Sequence, residues 1–208
     1  MNKRDFNKEA TAWDDNPIRV QLANDIYKRI SQEVVLMPTM DIMDFGCGTG
    51  LMTLQFKPLV RSITGFDSSE GMLEVFKDKV VQKNLSGVEV YHIDLEKGEC
   101  LKGQYHLIVS SMTFHHIMDI PALLDQFYKL LQPSGYLCIA DLDSDEGKFH
   151  DNNDGVFHQG FDRLSLSGHF KEAGFEDVRD VQATEVVKMG SDGITRKFSI
   201  FLMMGQKV

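Results

Sequence analysis

Three aspartates in this sequence stand where short apolar runs end, and a group of glycines follows the first of them. Asp44 lies two residues before Gly46 in the stretch Asp41-Ile42-Met43-Asp44-Phe45-Gly46-Cys47-Gly48-Thr49-Gly50. Glycines after a strand admit positive φ and let a ligand come close to the backbone. Asp67 closes the run Ser62 to Phe66, and Asp94 closes the run Val88 to Ile93. A carboxylate at the second strand end can accept both hydroxyls of a ribose. One at the third can accept from an exocyclic amine. Asp44, inside the first strand, is expected to be nearly buried and so to need a cation such as an amino-acid ammonium. A glycine-rich turn alone is a weak signal, equally read as a tight strand-to-helix turn. Its company with acids at three successive strand ends is what points to a ligand.

The elements that must carry these residues alternate. Asp41 to Phe45, Ser62 to Phe66, Val88 to Ile93, Tyr105 to Ser111 and Tyr136 to Ala140 read as buried parallel strands, the last preceded by the turn Pro133-Ser134-Gly135. Between them, Met72, Val75, Phe76 and Val80 step at helical spacing, as do Leu123, Leu124, Phe127, Leu130 and Leu131 behind Pro121. This rhythm predicts an α/β, doubly wound, mostly parallel sheet with right-handed crossovers. Ahead of it, Asn16-Pro17 caps a helix with Ile18, Leu22, Ile26 and Ile30 on one face. Behind it, Leu164 to Ala173 reads as a helix stopped by Gly174. Asp177 to Val187 and Lys197 to Met204, joined by Gly190-Ser191-Asp192-Gly193, read as an antiparallel hairpin closing a sheet edge.

Length and charge bound the rest. The chain's 208 residues suit one domain, and nothing in them reads as a linker or repeat. A net charge of −9 disfavours unaided nucleic-acid binding, so none is expected. Cys47, Cys100 and Cys138 form no metal-ligand spacing, and their odd number fits a reducing cytoplasm. Met1 to Ala10 has no apolar core for a leader, and Phe198 to Met204 is too short to cross a bilayer, so no membrane association is expected.

Taken together, these stretches resemble a class I S-adenosylmethionine-dependent methyltransferase of the broad group that methylates small molecules. Asp44 to Gly50 resembles the family's first motif and Phe66-Asp67-Ser68-Ser69-Glu70-Gly71-Met72-Leu73 its second. His92-Ile93-Asp94-Leu95 resembles the third, and Leu130 to Leu137 the turn into the fifth strand. The resemblance implies a Rossmann-like, seven-stranded sheet and S-adenosylmethionine as cofactor. It implies that Asp44, Gly46, Cys47, Gly48, Asp67, Ser68, Met72, Asp94, Leu95 and Ser110 hold that cofactor. Trp13 is either an aromatic flap over it or a helix-packing ring. The implied division is an N-terminal cap (1–36), a cofactor core (40–141), an acceptor-side insert with a helix (142–175) and the hairpin (176–208). A dehydrogenase is disfavoured because Gly46-x-Gly48-x-Gly50 lacks the longer final gap of the dinucleotide fingerprint.

Methyl transfer from an activated sulfonium needs alignment more than acid–base groups. The candidates for a base follow the fourth strand, in Ser110-Ser111-Met112-Thr113-Phe114-His115-His116. Adjacent side chains do not share a face, and His115 is preferred, either as base or as a packing ring. His116, His158, Phe161 and Arg163 are the acceptor-side candidates, the last three equally readable as anchors of the helix near Asp162. The His and Asp residues between Asp141 and Arg163 match no metal motif, so no metal is expected. Absence of an Asn/Asp-Pro-Pro-aromatic stretch disfavours methylation of base amines. A small molecule is the expected acceptor, and a protein or RNA acceptor, or a binding protein without catalysis, stands as the alternative.

Overall fold

Seven strands, the first two ending beside glycine and at aspartate, build one sheet in the computed structural model, which describes residues 5–190 and 193–208. In chain order, α1 (Phe6–Glu9) and a 3-10 segment (Ala10–Asp15) lead into α2 (Pro17–Glu33). Then come β1 (Asp41–Phe45), α3 (Thr53–Phe56), β2 (Ser62–Asp67), α4 (Glu70–Gln82), β3 (Val88–His92) and β4 (Tyr105–Ser111). The chain continues through α5 (Ile120–Leu130), β5 (Leu131–Leu142), α6 (Arg163–Glu172), β6 (Glu176–Met189) and β7 (Thr195–Gln206).

The sheet order is β3-β2-β1-β4-β5-β7-β6. β1 to β5 pair in parallel, whereas β7 runs antiparallel to both β5 and β6. Helices cover both faces, so the central strands are apolar on both sides. In β1, Ile42 faces one core with Ile26, Ile30 and Phe56, while Met43 and Phe45 face the other with Phe114, Leu124 and Phe127. The order of winding reverses between β1 and β4, which makes their carboxyl ends the switch point of the sheet.

Local chemistry starts the helices where the sequence places them. The Asn16 side chain accepts from the Ile18 backbone N–H at 2.9 Å, with Pro17 as the first helical residue. Asp119 does the same for α5, accepting from Ala122 at 3.0 Å ahead of Pro121. Ser69 caps α4 through Met72. Of that face of α2, Ile26 and Ile30 are fully buried, whereas Ile18 in the first turn is 44% exposed.

The fifth strand also differs from expectation. Pro133-Ser134-Gly135 lies inside β5 rather than before it, as a bulge where pairing with β4 jumps from Tyr105↔Leu131 to Leu107↔Tyr136. Ser134 takes φ +64° there, and Ser134 N donates to Lys207 O at 2.7 Å while Lys207 N donates to Gly135 O at 2.9 Å. The bulge therefore keeps its backbone partners, which is why the strand survives a proline. The hairpin is longer than predicted, and of its predicted turn Ser191 and Asp192 lie outside the described residues. Among the described residues no helix is long and apolar enough to cross a membrane.

Phe127 sets the height of the β1 end. It is fully buried, 5.4 Å from the Phe45 ring and 6.0 Å from Phe114. Phe127→Ala is expected to lower the unfolding free energy by about 3–5 kcal/mol in urea titrations. A loss below about 0.5 kcal/mol would contradict this packing.

Candidate functional site

A cavity of about 400 Å³ opens over the crest of the sheet, beyond the carboxyl ends of β1 and β4. Its floor is the glycine turn. Gly46 N and Cys47 N both donate to Phe66 O, at 2.8 and 3.1 Å, which laces the turn to β2. Gly46 has φ +75°, and a Cβ there would fall 2.1 Å from Thr113 Oγ1. Gly48, at φ +53°, is different: a Cβ there would meet nothing within 4 Å. The close approach at Gly46 is to the protein itself, and the open space at Gly48 is left for something else.

Asp67 stands at the end of β2 with both oxygens engaged. Oδ2 accepts from Gly48 N and Oδ1 from Ser69 N, each at 2.8 Å. Burial raises its carboxyl above the usual range, opposed by those N–H donors. Each oxygen keeps acceptor capacity toward the cavity it lines, which suits a diol. Asp44 is almost fully buried. Its Oδ2 accepts from the Thr53 hydroxyl, and its Oδ1 has no partner. Burial pushes its carboxyl up to about 7, with Thr53 opposing and Asp67 reinforcing the shift. A lone buried carboxylate oxygen on a cavity wall is a socket for a cationic donor. Cys47 also lines the cavity, and burial, then Asp67 and Asp44, push its thiol well up, so it stays neutral. Asp94, Leu95, Ser68 and Met72 form the far wall. Asp94 caps the short 3-10 segment Leu95–Lys97 through Glu96 N at 3.1 Å and pairs with Lys97 at 3.0 Å.

The N-terminal segment lines this end of the cavity. Asn7 Oδ1 accepts from Gly71 N and Ser69 Oγ, both at 2.8 Å. Thr49 Oγ1 donates to Asp14 at 2.6 Å, and Lys79 pairs with Asp14 while donating to Thr49 O at 2.8 Å. These ties hold Trp13 against the cavity, with the Arg19 guanidinium 3.7 Å over its ring. The functional weight of Asn7 and Lys79 is not legible in the sequence, since their contacts reach 64 and 30 residues along the chain.

The opposite end is walled by Ser111, Met112, Thr113, His116, Ile117, Asp154 and Gly155. Met112 takes φ +55°, a strained value at a strand end on the cavity. Several expected residues stand elsewhere. Ser110 is fully buried and donates to Phe45 O at 2.7 Å, stapling β4 to β1 rather than lining the cavity. The preference between the histidines reverses: His116 is on the wall, and His115 lies behind it, 1% exposed. His158 meets Ile117 O through Nε2 at 2.9 Å, and Phe161 packs toward Phe201 in the core. Arg163 grips Asp143 with two hydrogen bonds of 2.6 Å and Asp180 at 2.9 Å, which raises its pKa further. These three tie α6 and the insert to the sheet, off the cavity wall.

Behind His116, the structure joins residues that spacing did not. His115 Nδ1 lies 2.7 Å from the Asp141 carboxylate at the end of β5. Burial would raise that carboxyl, but His115 and its N–H donors hold it below the usual range. His150, from the loop after β5, brings its ring centroid to 4.8 Å from His115 and 5.7 Å from His116.

A glycine turn at the crest, an acid clasping from the second strand end and an antiparallel last strand beside the fifth together define the Rossmann-like methyltransferase class. Residues 17–180 match the family model of the methyltransferase domain, and the chain belongs to that family. It is 32% identical over 149 residues to an uncharacterised methyltransferase of Schizosaccharomyces pombe, covering 64% of this chain and 52% of that one. It is 30% identical over 145 residues to a malonyl-[acyl-carrier protein] O-methyltransferase of Priestia megaterium, covering 65% and 48%. The chain thus spans about half the length of these relatives. Its fold superposes with a TM-score of 0.70 on a SAM-dependent methyltransferase from Aquifex aeolicus, at 20% identity over 99% of this chain and 100% of that one. The residues present fit S-adenosylmethionine, the cofactor in that Aquifex aeolicus protein's name: the unmatched Asp44 oxygen would take its ammonium, Asp67 its ribose, and the space over Gly48 its arm.

Asp67→Ala is expected to weaken S-adenosylmethionine binding by about 1–3 kcal/mol in calorimetry, one or two ribose hydrogen bonds. Unchanged affinity would refute that contact. Asp44 gives a pH signature. Below about 7 its carboxyl is neutral and above it is charged, so affinity for the cationic ligand rises as pH increases through about 7. Asp44→Asn is expected to flatten that rise. In the ligand-free chain the sign is opposite. The native carboxyl keeps a proton that the unfolded one has lost, so stability falls as pH climbs from the ordinary carboxyl range toward about 7.

Proposed function

We propose that this chain transfers the methyl group of S-adenosylmethionine to a small-molecule acceptor, leaving S-adenosylhomocysteine. One observation carries the reading: a single cavity runs from Asp94 and Asp67, across the glycine turn, to His116 and Gly155. Cofactor and acceptor would share one chamber, meeting over Gly48 and Met112. Membership of the methyltransferase-domain family and the likeness to a malonyl-[acyl-carrier protein] O-methyltransferase support it.

When bound, the cofactor supplies a methyl group on a positively charged sulfur, ready for in-line displacement. The chain's own residues supply the alignment. Asp67 and the N–H groups of Gly48 and Ser69 fix one end of the chamber. Asp44, buried beneath it, fixes the charge of the other arm. Trp13 and the Asn7 and Asp14 ties cover the chamber, which excludes water. Thr113 fills the space under Gly46 and so sets the level of the floor. An acceptor already deprotonated at neutral pH, such as a carboxylate, needs no proton removed, whereas a thiol or an alkylammonium must first lose one. The net charge of −9 argues against a nucleic-acid acceptor, and the free thiols of Cys47, Cys100 and Cys138 fit a reducing cytoplasm.

The test is an acceptor screen that reads S-adenosylhomocysteine, with carboxylic acids, thiols and amines in one arm and deproteinised RNA or whole protein in the other. Saturable product formation with a small molecule, reduced in Asp67→Ala, is expected. Product formed solely with a macromolecular fraction would overturn the reading.

A further inference from the structure

We propose that His115, His116 and His150 form a binding site for a divalent transition-metal ion, zinc(II) foremost, at the acceptor end of the chamber. Each of the three offers a ring nitrogen, and these atoms lie within 4.8 Å of one another. Aromatic packing would bring such rings together as well, with centroids 4.2 to 5.7 Å apart. Three features separate a ligand set from a stack.

The first is an unmatched atom. His115 is 1% exposed, and its Nε2 has no hydrogen-bond partner. Leaving a buried ring nitrogen unmatched costs about 1–3 kcal/mol, and such atoms call for an explanation in a missing water or ion. The second is the way the rings are held. His115 Nδ1 faces the fully buried Asp141 carboxylate at 2.7 Å, and that carboxylate also accepts from Leu142 N at 2.7 Å and His115 N at 3.3 Å. His116 Nδ1 faces Gly155 O at 2.7 Å. A carbonyl and a carboxylate both accept, so Nδ1 carries a proton in both rings, and in the neutral imidazole the lone pair is then on Nε2. Carboxylate–histidine and carbonyl–histidine pairs of this kind are the usual outer support of metal-bound imidazoles. The third is the framing of the loop that brings His150. Phe157 N and His158 N both donate to His115 O, at 2.9 and 3.2 Å, and Phe149 N donates to Asp145 at 2.6 Å. The Phe149 ring packs on Phe198 at 5.2 Å. His150 thus arrives on a loop anchored at both ends, one of them on a proposed ligand.

Three neutral imidazoles suit zinc and its first-row neighbours. A three-histidine set leaves a coordination position open. Because His116 lines the chamber, that position would lie at its acceptor end, where a carboxylate or thiolate could bind the ion. The metal site stands on geometry alone, while this use of it rests on the methyl-transfer reading.

The experiment uses the untagged full chain, stripped with a chelator and titrated with zinc(II) against a chromogenic competitor, and with cobalt(II) read by visible absorption. One equivalent of zinc and the intense bands of tetrahedral cobalt are expected. His150→Ala, a half-buried loop position, should lose both while circular dichroism stays unchanged. Asp141→Asn should weaken zinc binding by about 10- to 100-fold. A wild-type chain that takes up no zinc, or a His150→Ala chain that binds it as tightly, would overturn the site. Zinc uptake without methyl transfer to any acceptor would leave the site standing and remove the reading above. Full transfer by a chain that takes up no zinc would do the reverse.

Discussion

A carboxyl group buried inside the first strand, with one oxygen matched and the other not, sets the terms for the whole crest. Thr53 satisfies one oxygen of Asp44 from the start of α3, and among the described residues nothing satisfies the second. The sheet places that group where strand order reverses, so the unmatched oxygen faces a cleft rather than a packed helix. The cost of holding it there is offset when a cation arrives. The fold and the proposed cofactor site are joined at this residue: the same burial that lifts its carboxyl to about 7 would strengthen its attraction to an ammonium once it is charged.

Much of this was legible in the sequence because it is local. The strand ends, the glycine turn and the acids at Asp44, Asp67 and Asp94 all sit within a few residues of signals with a fixed period or turn chemistry. Caps at Asn16 and Asp119 were readable for the same reason. What stayed hidden depends on long-range placement. Ser110 and His115 sit one residue from cavity-lining neighbours: alternation along β4 turns Ser110 inward, and the 3-10 turn Phe114–His116 turns His115 in and His116 out. The Pro133-Ser134-Gly135 bulge looked like a strand boundary because the partner that rescues it, Lys207, lies at the other end of the chain. His158, Phe161 and Arg163 looked like acceptor contacts, yet their partners are Ile117, Phe201, Asp143 and Asp180, none of them marked by spacing.

The insert after β5 shows how one segment serves packing and chemistry together. Arg163 and Phe161 fasten its far end to the sheet, and Asp143 pairs with Phe161 as an isolated bridge. Gly155 gives its carbonyl to His116 on the cavity wall. A loop rich in acids, ordinary in composition, becomes one wall of the chamber because its backbone is bound to the segment after β4.

Asn7 grips Gly71 and Ser69, and Ser69 N also grips Asp67. The covering segment is therefore latched onto the same turn of backbone that holds Asp67. A displacement that frees Asn7 also releases the Ser69 hydroxyl and the Gly71 N–H, so the cover of the cavity and the turn beside Asp67 are mechanically one unit.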